Sequence, residues 1–119
     1  MKRIALLLLL LVACNRYEKT QIKEQIGGDI AQGKQLVQQY GCTACHTIPG
    51  VTGPRGMVGP PLEHVASRQF LAGKLPNTPE NMIKYLQNPQ STDPANAMPN
   101  LALTPDQSRD IAAFLYTLK

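Results

Sequence analysis

Tryptophan is absent from this 119-residue chain, and only two phenylalanines and four tyrosines supply aromatic bulk. A chain of this length forms one small domain. With so few large side chains its core falls short for its size, and something else has to fill the gap. Charge of one sign is missing too. Twelve Lys and Arg stand against eight Asp and Glu with no basic cluster, which argues against nucleic acid as a partner. Cysteine is scarce: three residues cannot build a disulfide framework. Internal repeats are lacking, and nowhere do β-branched residues alternate convincingly, so the expected class is all-α with long loops.

Long apolar runs are limited to one. After the basic start Met1-Lys2-Arg3, residues 4–13 are ten unbroken apolar residues. A membrane-spanning helix needs about 20 and the apolar part of an export signal about 7–15, so export is the expectation. Leu11-Val12-Ala13-Cys14 resembles the lipobox of bacterial lipoproteins. That resemblance implies a signal peptide over residues 1–13, cleavage before Cys14 and lipid on its sulfur and amine. Several acyl chains anchor stably, because each buried CH₂ contributes about 0.8 kcal/mol and one chain alone is marginal. Beyond the signal, ten Lys and Arg face eight acids. Residues 14–28 are polar and charged, end in Gly27-Gly28, and read as a tether to a domain over residues 29–119.

Within that domain the pattern predicts three to four helices. Residues 29–40 read as a helix capped by Asp29 and stopped at Gly41. Its inner side carries Ile30, Gly33, Leu36, Val37 and Tyr40. Gly33 on that side costs about 1 kcal/mol of helix propensity, which a close helix crossing would explain. Residues 47–61 hold Pro49, Gly50, Gly53, Pro54, Gly56, Gly59, Pro60 and Pro61 and read as irregular loop. A short helical segment is expected over 62–70. Thr78-Pro79 starts a helix that stops before Pro89. Residues 91–103 are extended loop, and Thr104-Pro105-Asp106-Gln107 forms a capping box ahead of the stripe Ile111, Phe114, Leu115 and Leu118. Loops this long usually wrap something or serve function.

The chemistry concentrates in Cys42-Thr43-Ala44-Cys45-His46. C-x-x-C-H is the attachment signature of c-type haem: two thiols add across two vinyl groups, and the adjacent imidazole falls under the iron. Two other readings use the same residues. A dithiol oxidoreductase carries C-x-x-C, but after a strand in an α/β fold. Zinc needs four ligands, and Cys42, Cys45, His46 and His64 are the only Cys and His residues after Cys14, without a second pair at the usual spacing.

From residue 28 to 119 the sequence resembles a class I cytochrome c, and is especially similar to the cytochrome domains of bacterial oxidase subunits. Besides the attachment motif, Gly59-Pro60-Pro61-Leu62 matches the family's segment on the histidine side. Tyr85-Leu86-Gln87-Asn88-Pro89 and Met98-Pro99 match the segment leading to its methionine ligand. The resemblance implies one haem c bound through Cys42 and Cys45, with His46 and Met98 as axial ligands. It further implies that the Pro60 carbonyl accepts from the His46 ring, that the Tyr85 hydroxyl approaches the Met98 sulfur, and that Arg68 and Asn96 serve a propionate. Gly33 should meet Phe114 where the first and last helices of the domain cross. Of the other methionines, Met57 lies in the Gly/Pro loop and Met82 reads as core packing. His64 reads as a surface group.

Two departures from the family stand out. A Trp partner for a propionate is absent, and Asp93-Pro94-Ala95-Asn96 replaces a more basic stretch, lowering positive charge beside the haem edge. A haem with two protein ligands has no free position for a substrate, so the expected role is an electron carrier or electron-entry subunit and not an enzyme. The expected partners are a terminal oxidase, a reductase or a cytochrome bc-type complex, with no small-molecule substrate. The expected location is a membrane, by lipid anchor, with the domain in the periplasm or on the outer cell surface. The alternative is a haem-based sensor or small haem enzyme from which Met98 dissociates.

Overall fold

The computed structural model describes residues 2–119, apart from the side chains of residues 2, 3 and 5–11. The packing of the apolar run read as an export signal therefore lies outside the described residues. Four α-helices stand among the described residues: α1 Lys2–Ile26, α2 Ile30–Gln39, α3 Pro79–Gln87 and α4 Pro105–Leu115. Among the described residues no helix is long and apolar enough to cross a membrane.

The helices begin where their caps dictate. Asp29 accepts from the Gln32 amide at 2.8 Å, Thr78 from the Asn81 amide at 3.2 Å, and Thr104 from the Gln107 amide at 3.2 Å. Gln107 returns the bond, accepting from the Thr104 amide at 3.0 Å, so both donors of the capping box are satisfied. Pro79 and Pro105 occupy first helical positions, where a missing N–H costs nothing. α2 ends at Tyr40, and Gly41 follows with φ +68°, a left-handed conformation that glycine adopts without a Cβ penalty.

Burial organises these pieces around α4, whose Ile111, Ala112, Ala113, Phe114 and Leu115 are all buried. α2 crosses it with Gly33, Leu36 and Val37. At Gly33 a Cβ would overlap the Asp110 carbonyl and press on Phe114, the close approach anticipated from the sequence. A hydrogen bond from the Asp29 amide to Asp110 Oδ1 at 2.8 Å ties the start of α2 to the same turn of α4. α3 adds Met82 and Leu86 to this core.

Three features differ from the sequence expectation. Residues 15–26, read as part of a loose tether, continue α1. Ile22 and Ile26, four residues apart, are buried in the core in contact with α4, and Glu18 pairs with Lys119 at 2.7 Å. Two apolar residues in a polar segment give a weak periodic signal, and only the presence of α4 makes them a packing face. Secondly, the helical segment expected over 62–70 shrinks to a 3-10 turn at Val65–Ser67, because His64 takes φ +56°. Lastly, a two-residue hairpin, β1 Phe70–Leu71 antiparallel to β2 Leu75–Pro76, interrupts the all-α architecture. Ala72 and Gly73 turn it with φ +50° and +69°.

Gly33→Ala separates local from tertiary energetics. Propensity alone would stabilise α2 by about 1 kcal/mol, whereas overlap at the crossing should cost about 1–3 kcal/mol. Urea unfolding should therefore show a lower midpoint. A higher midpoint would show that α2 and α4 do not meet at this residue.

Candidate functional site

The turn after α2 gathers the thiols and the imidazole. Cys42–Ala44 form a 3-10 turn, and the His46 amide closes it on the Cys42 carbonyl at 3.0 Å. The Gly/Pro loop is then laced back onto this turn. Gly56 N donates to Thr43 O at 3.0 Å, Gly59 N to Cys45 O at 2.8 Å and Leu62 N to Thr47 O at 2.8 Å. Gly59 lies so near the imidazole that a Cβ would collide with the ring. With the loop fixed, His46 Nδ1 lies 2.7 Å from the Pro60 carbonyl. A carbonyl only accepts, so Nδ1 carries the proton and Nε2 keeps its lone pair for a metal.

Cys42 and Cys45 are not bonded to each other. Burial pushes the Cys42 thiol up from its ordinary value, with a smaller contribution from Cys45, against a lowering backbone hydrogen bond. Dithiol exchange needs a thiolate, so this environment opposes the oxidoreductase reading. Among the described residues no three His, Cys, Asp or Glu side chains converge as a metal cluster, which opposes the zinc reading.

Met98 arrives from the other side on the loop after α3. Asn88 ends the helix and Pro89, fully buried, opens a 3-10 turn to Ser91. Side chains of the loop then bind its own backbone. Gln90 Nε2 donates to the Met98 carbonyl at 2.7 Å and to the Asn96 carbonyl at 3.2 Å. Asn96 Oδ1 accepts from the Met98 amide at 2.9 Å, and Asn96 Nδ2 donates to the Tyr85 hydroxyl at 2.9 Å. Asn96, expected at a propionate, has its side-chain amide engaged at both ends, by the loop through Oδ1 and by Tyr85 of α3 through Nδ2. The Tyr85 hydroxyl, expected on the Met98 sulfur, accepts from Asn96 and keeps its own proton to donate.

Both sides face one cavity of about 390 Å³, whose wall includes Cys42, Cys45, His46, Pro60, Met98 and Asn96. Tyr85 and Arg68 line it as well, and Ile111 and Leu115 of α4 form its back. Met82 is buried at the wall, Met57 is 92% exposed, and His64 lies outside the lining. Arg68 Nη2 donates to the Pro61 and Glu63 carbonyls. The cation expected at a propionate thus also braces the segment that holds the His46 ring, with further guanidinium donors unspent.

Three contributors were not legible in the sequence. Gln90 is one. Asn77 and Tyr116 are the others: Asn77 Nδ2 donates to Val65 O at 2.9 Å and Arg68 O at 2.8 Å, while the Tyr116 hydroxyl donates to Asn77 Oδ1 at 2.7 Å. They hold the histidine-side loop to the end of α4. No local spacing marks them, because partners 39 residues apart meet only in the fold.

The donor set fits a covalently held haem. Two unpaired thiols and an imidazole with its free nitrogen share the cavity with a thioether, and the wall between them is largely apolar. Comparison with known proteins agrees. The family model described as Cytochrome c matches residues 30–119. A curated relative, cytochrome c oxidase subunit 2 of Alkalihalophilus pseudofirmus, is 34% identical over 92 residues, 74% of this chain. The match spans only 25% of that relative's own length.

Burial, reinforced by the charge of Glu80, pushes the Tyr116 hydroxyl from 10 up to about 12. Folding therefore favours the neutral phenol. That contribution is complete below pH 10 and is lost as pH rises through about 12. Thermal melts across this range should fall more steeply for the native chain than for Tyr116→Phe. Parallel curves would remove Tyr116 from the account of loop stability.

Proposed function

The chain belongs to the cytochrome c family and carries covalently attached haem c, and from that premise we propose a membrane-anchored mono-haem electron carrier serving respiratory redox partners. The observation that carries this reading is the shared cavity: His46, its ring set by Pro60, and Met98, its backbone held on both sides, line one space. Bound haem supplies an iron that changes charge by a single electron, and His/Met ligation favours the reduced form relative to histidine alone.

The protein's own part is positioning. Cys42 and Cys45 hold the group through thioethers. The Pro60 carbonyl raises the donor strength of His46 by taking its Nδ1 proton in a hydrogen bond. Leu86, Ile111 and Leu115 keep water from the back of the cavity. With His46 and Met98 both as ligands no position would remain for substrate, and the chemistry the group would supply is electron transfer without bond-making. The sensor alternative needs Met98 to leave, and the hydrogen bonds on both its polar backbone groups favour its retention.

Anchoring is the second element of the proposal. Lipid on Cys14 would join the domain through α1, and Glu18, one turn further along, is already tied to Lys119. Four residues of helix span about 6 Å at ~1.5 Å each. The domain would therefore sit close to the lipid in a set orientation, raising its local concentration at membrane complexes. The similarity to an oxidase subunit supports partners of respiratory type. Asp93, read as lowering positive charge near the site, pairs with Lys74 at 2.6 Å, and that hydrogen bond together with the Ala95 amide holds its carboxyl below the ordinary range. The two charges cancel locally, which supports a partner face that is not strongly acidic.

Acidified acetone should leave the porphyrin on the denatured chain and release it from any product of Cys42→Ala with Cys45→Ala. Release from the native chain would defeat the proposal. Met98→Ala should lower the reduction potential on the order of 0.1–0.2 V, part of the roughly 0.8 V span that axial ligands cover, and open the iron to azide. An unchanged potential would mean that another group is the sixth ligand. For the anchor, hydrogen exchange on the mature holoprotein should protect the amides of residues 18–26 by at least about tenfold over free peptide. Unprotected amides there would restore the loose tether.

A further inference from the structure

Met98 sits in no helix or strand, so its backbone groups have no regular partner and the geometry of its thioether depends on what else holds them. Its amide is held by Asn96, two residues away. A bond this local fixes the turn but not its place in the molecule. The Met98 carbonyl is different: Gln90 reaches it across eight residues at 2.7 Å, with the second contact of the same Nε2 on the Asn96 carbonyl.

The base of Gln90 is rigid. Pro89 is fully buried, the Ser91 amide donates to Asn88 O at 3.1 Å, the Thr92 amide to Pro89 O at 3.2 Å, and Ser91 Oγ to Asn88 O at 2.7 Å. A glutamine amide has two N–H donors and both find a carbonyl here. Gln90 thereby connects the end of α3 directly to the residue bearing the sulfur. The other path from α3, through Tyr85 to Asn96, reaches the Met98 amide.

We propose that Gln90 is the positioning residue for the sixth ligand: its amide closes the 89–98 loop on the Met98 carbonyl and sets how often the thioether leaves the iron. The inference rests on Met98 being that ligand. Gln90 does not line the cavity, and acts by restricting rotation of the Met98 backbone. Without the amide, two half-buried carbonyls lose their donor, and the Met98 backbone is held by its bond to Asn96 alone.

Azide binding to the ferric holoprotein reads this directly, because azide enters only when the methionine is off. Gln90→Leu should bind azide about tenfold faster than the native chain, the effect of losing one to two neutral hydrogen bonds, with haem content and helical circular dichroism unchanged. Gln90→Glu keeps the size but replaces donors by an acceptor facing two carbonyls, so its azide rate at neutral pH should exceed that of Gln90→Leu. Protonation at low pH restores one donor and should bring the rate, taken as a ratio to the native chain at the same pH so that protonation of azide itself cancels, back toward one. This pH reversal is absent from a merely structural role. Native azide rates in both variants would overturn the inference, and if Gln90→Leu fails to fold, the Gln90→Glu profile decides alone. Met98→Ala measured alongside separates the failures. A fast rate there with native rates in both Gln90 variants removes only the positioning role, while a native rate in Met98→Ala removes the ligand assignment itself.

Discussion

The close contact of α2 with α4 at Gly33 is the constraint on which the remaining architecture depends. α2 passes through only Tyr40 and Gly41 into the turn bearing Cys42, Cys45 and His46, so wherever α2 lies, the attachment turn lies. α4 supplies the opposite wall through Ile111 and Leu115, and its middle is tied to the start of α2 through Asp110 and Asp29. Both the depth of the cavity and the direction in which the thiols enter it follow from two backbones approaching until only a hydrogen atom fits between them.

Around this frame the loops that hold His46 and Met98 are fastened differently. On the histidine side, backbone amides of Gly56, Gly59 and Leu62 clamp the loop onto the attachment turn. Side chains from afar, Arg68, Asn77 and Tyr116, then fasten its outer edge. On the methionine side the clamps are side chains of the loop itself, with Tyr85 as the link to α3. A backbone lattice leaves the imidazole little freedom beyond the ring's own rotation, which the Pro60 carbonyl removes. A side-chain clip is more easily opened than a backbone lattice, so the loop bearing Met98 is the less firmly held of the two.

α1 gives the molecule an asymmetry of another kind. Its second half packs on α4 through Ile22 and Ile26 and is closed by the Glu18–Lys119 pair. The pair is exposed and contributes little by itself; the two isoleucines carry the attachment, at about 1.5–3 kcal/mol each for full burial. A segment whose composition suits a flexible linker is thereby made part of the domain.

The sequence alone determined what is local or chemical. The helix starts followed from capping residues beside prolines, the stop of α2 from a glycine, and the haem from two thiols at a spacing that leaves few other uses in a chain without a third partner. Gly33 could be read as a crossing point because a glycine on an apolar helix face weakens the helix, and a close backbone approach offsets that loss. Tertiary structure decided everything that needed a distant partner. Only α4 turns Ile22 and Ile26 into a packing face. The hairpin at 70–76 and the shortened turn at 65–67 exist because backbone conformations of His64 and Ala72, unfavourable locally, are offset by contacts elsewhere. Gln90, Asn77 and Tyr116 acquire their tasks from carbonyls that lie near them only after the chain has closed. Hydrogen bonds between polar side chains and remote backbone have no periodicity, and that is why composition and spacing pass over them.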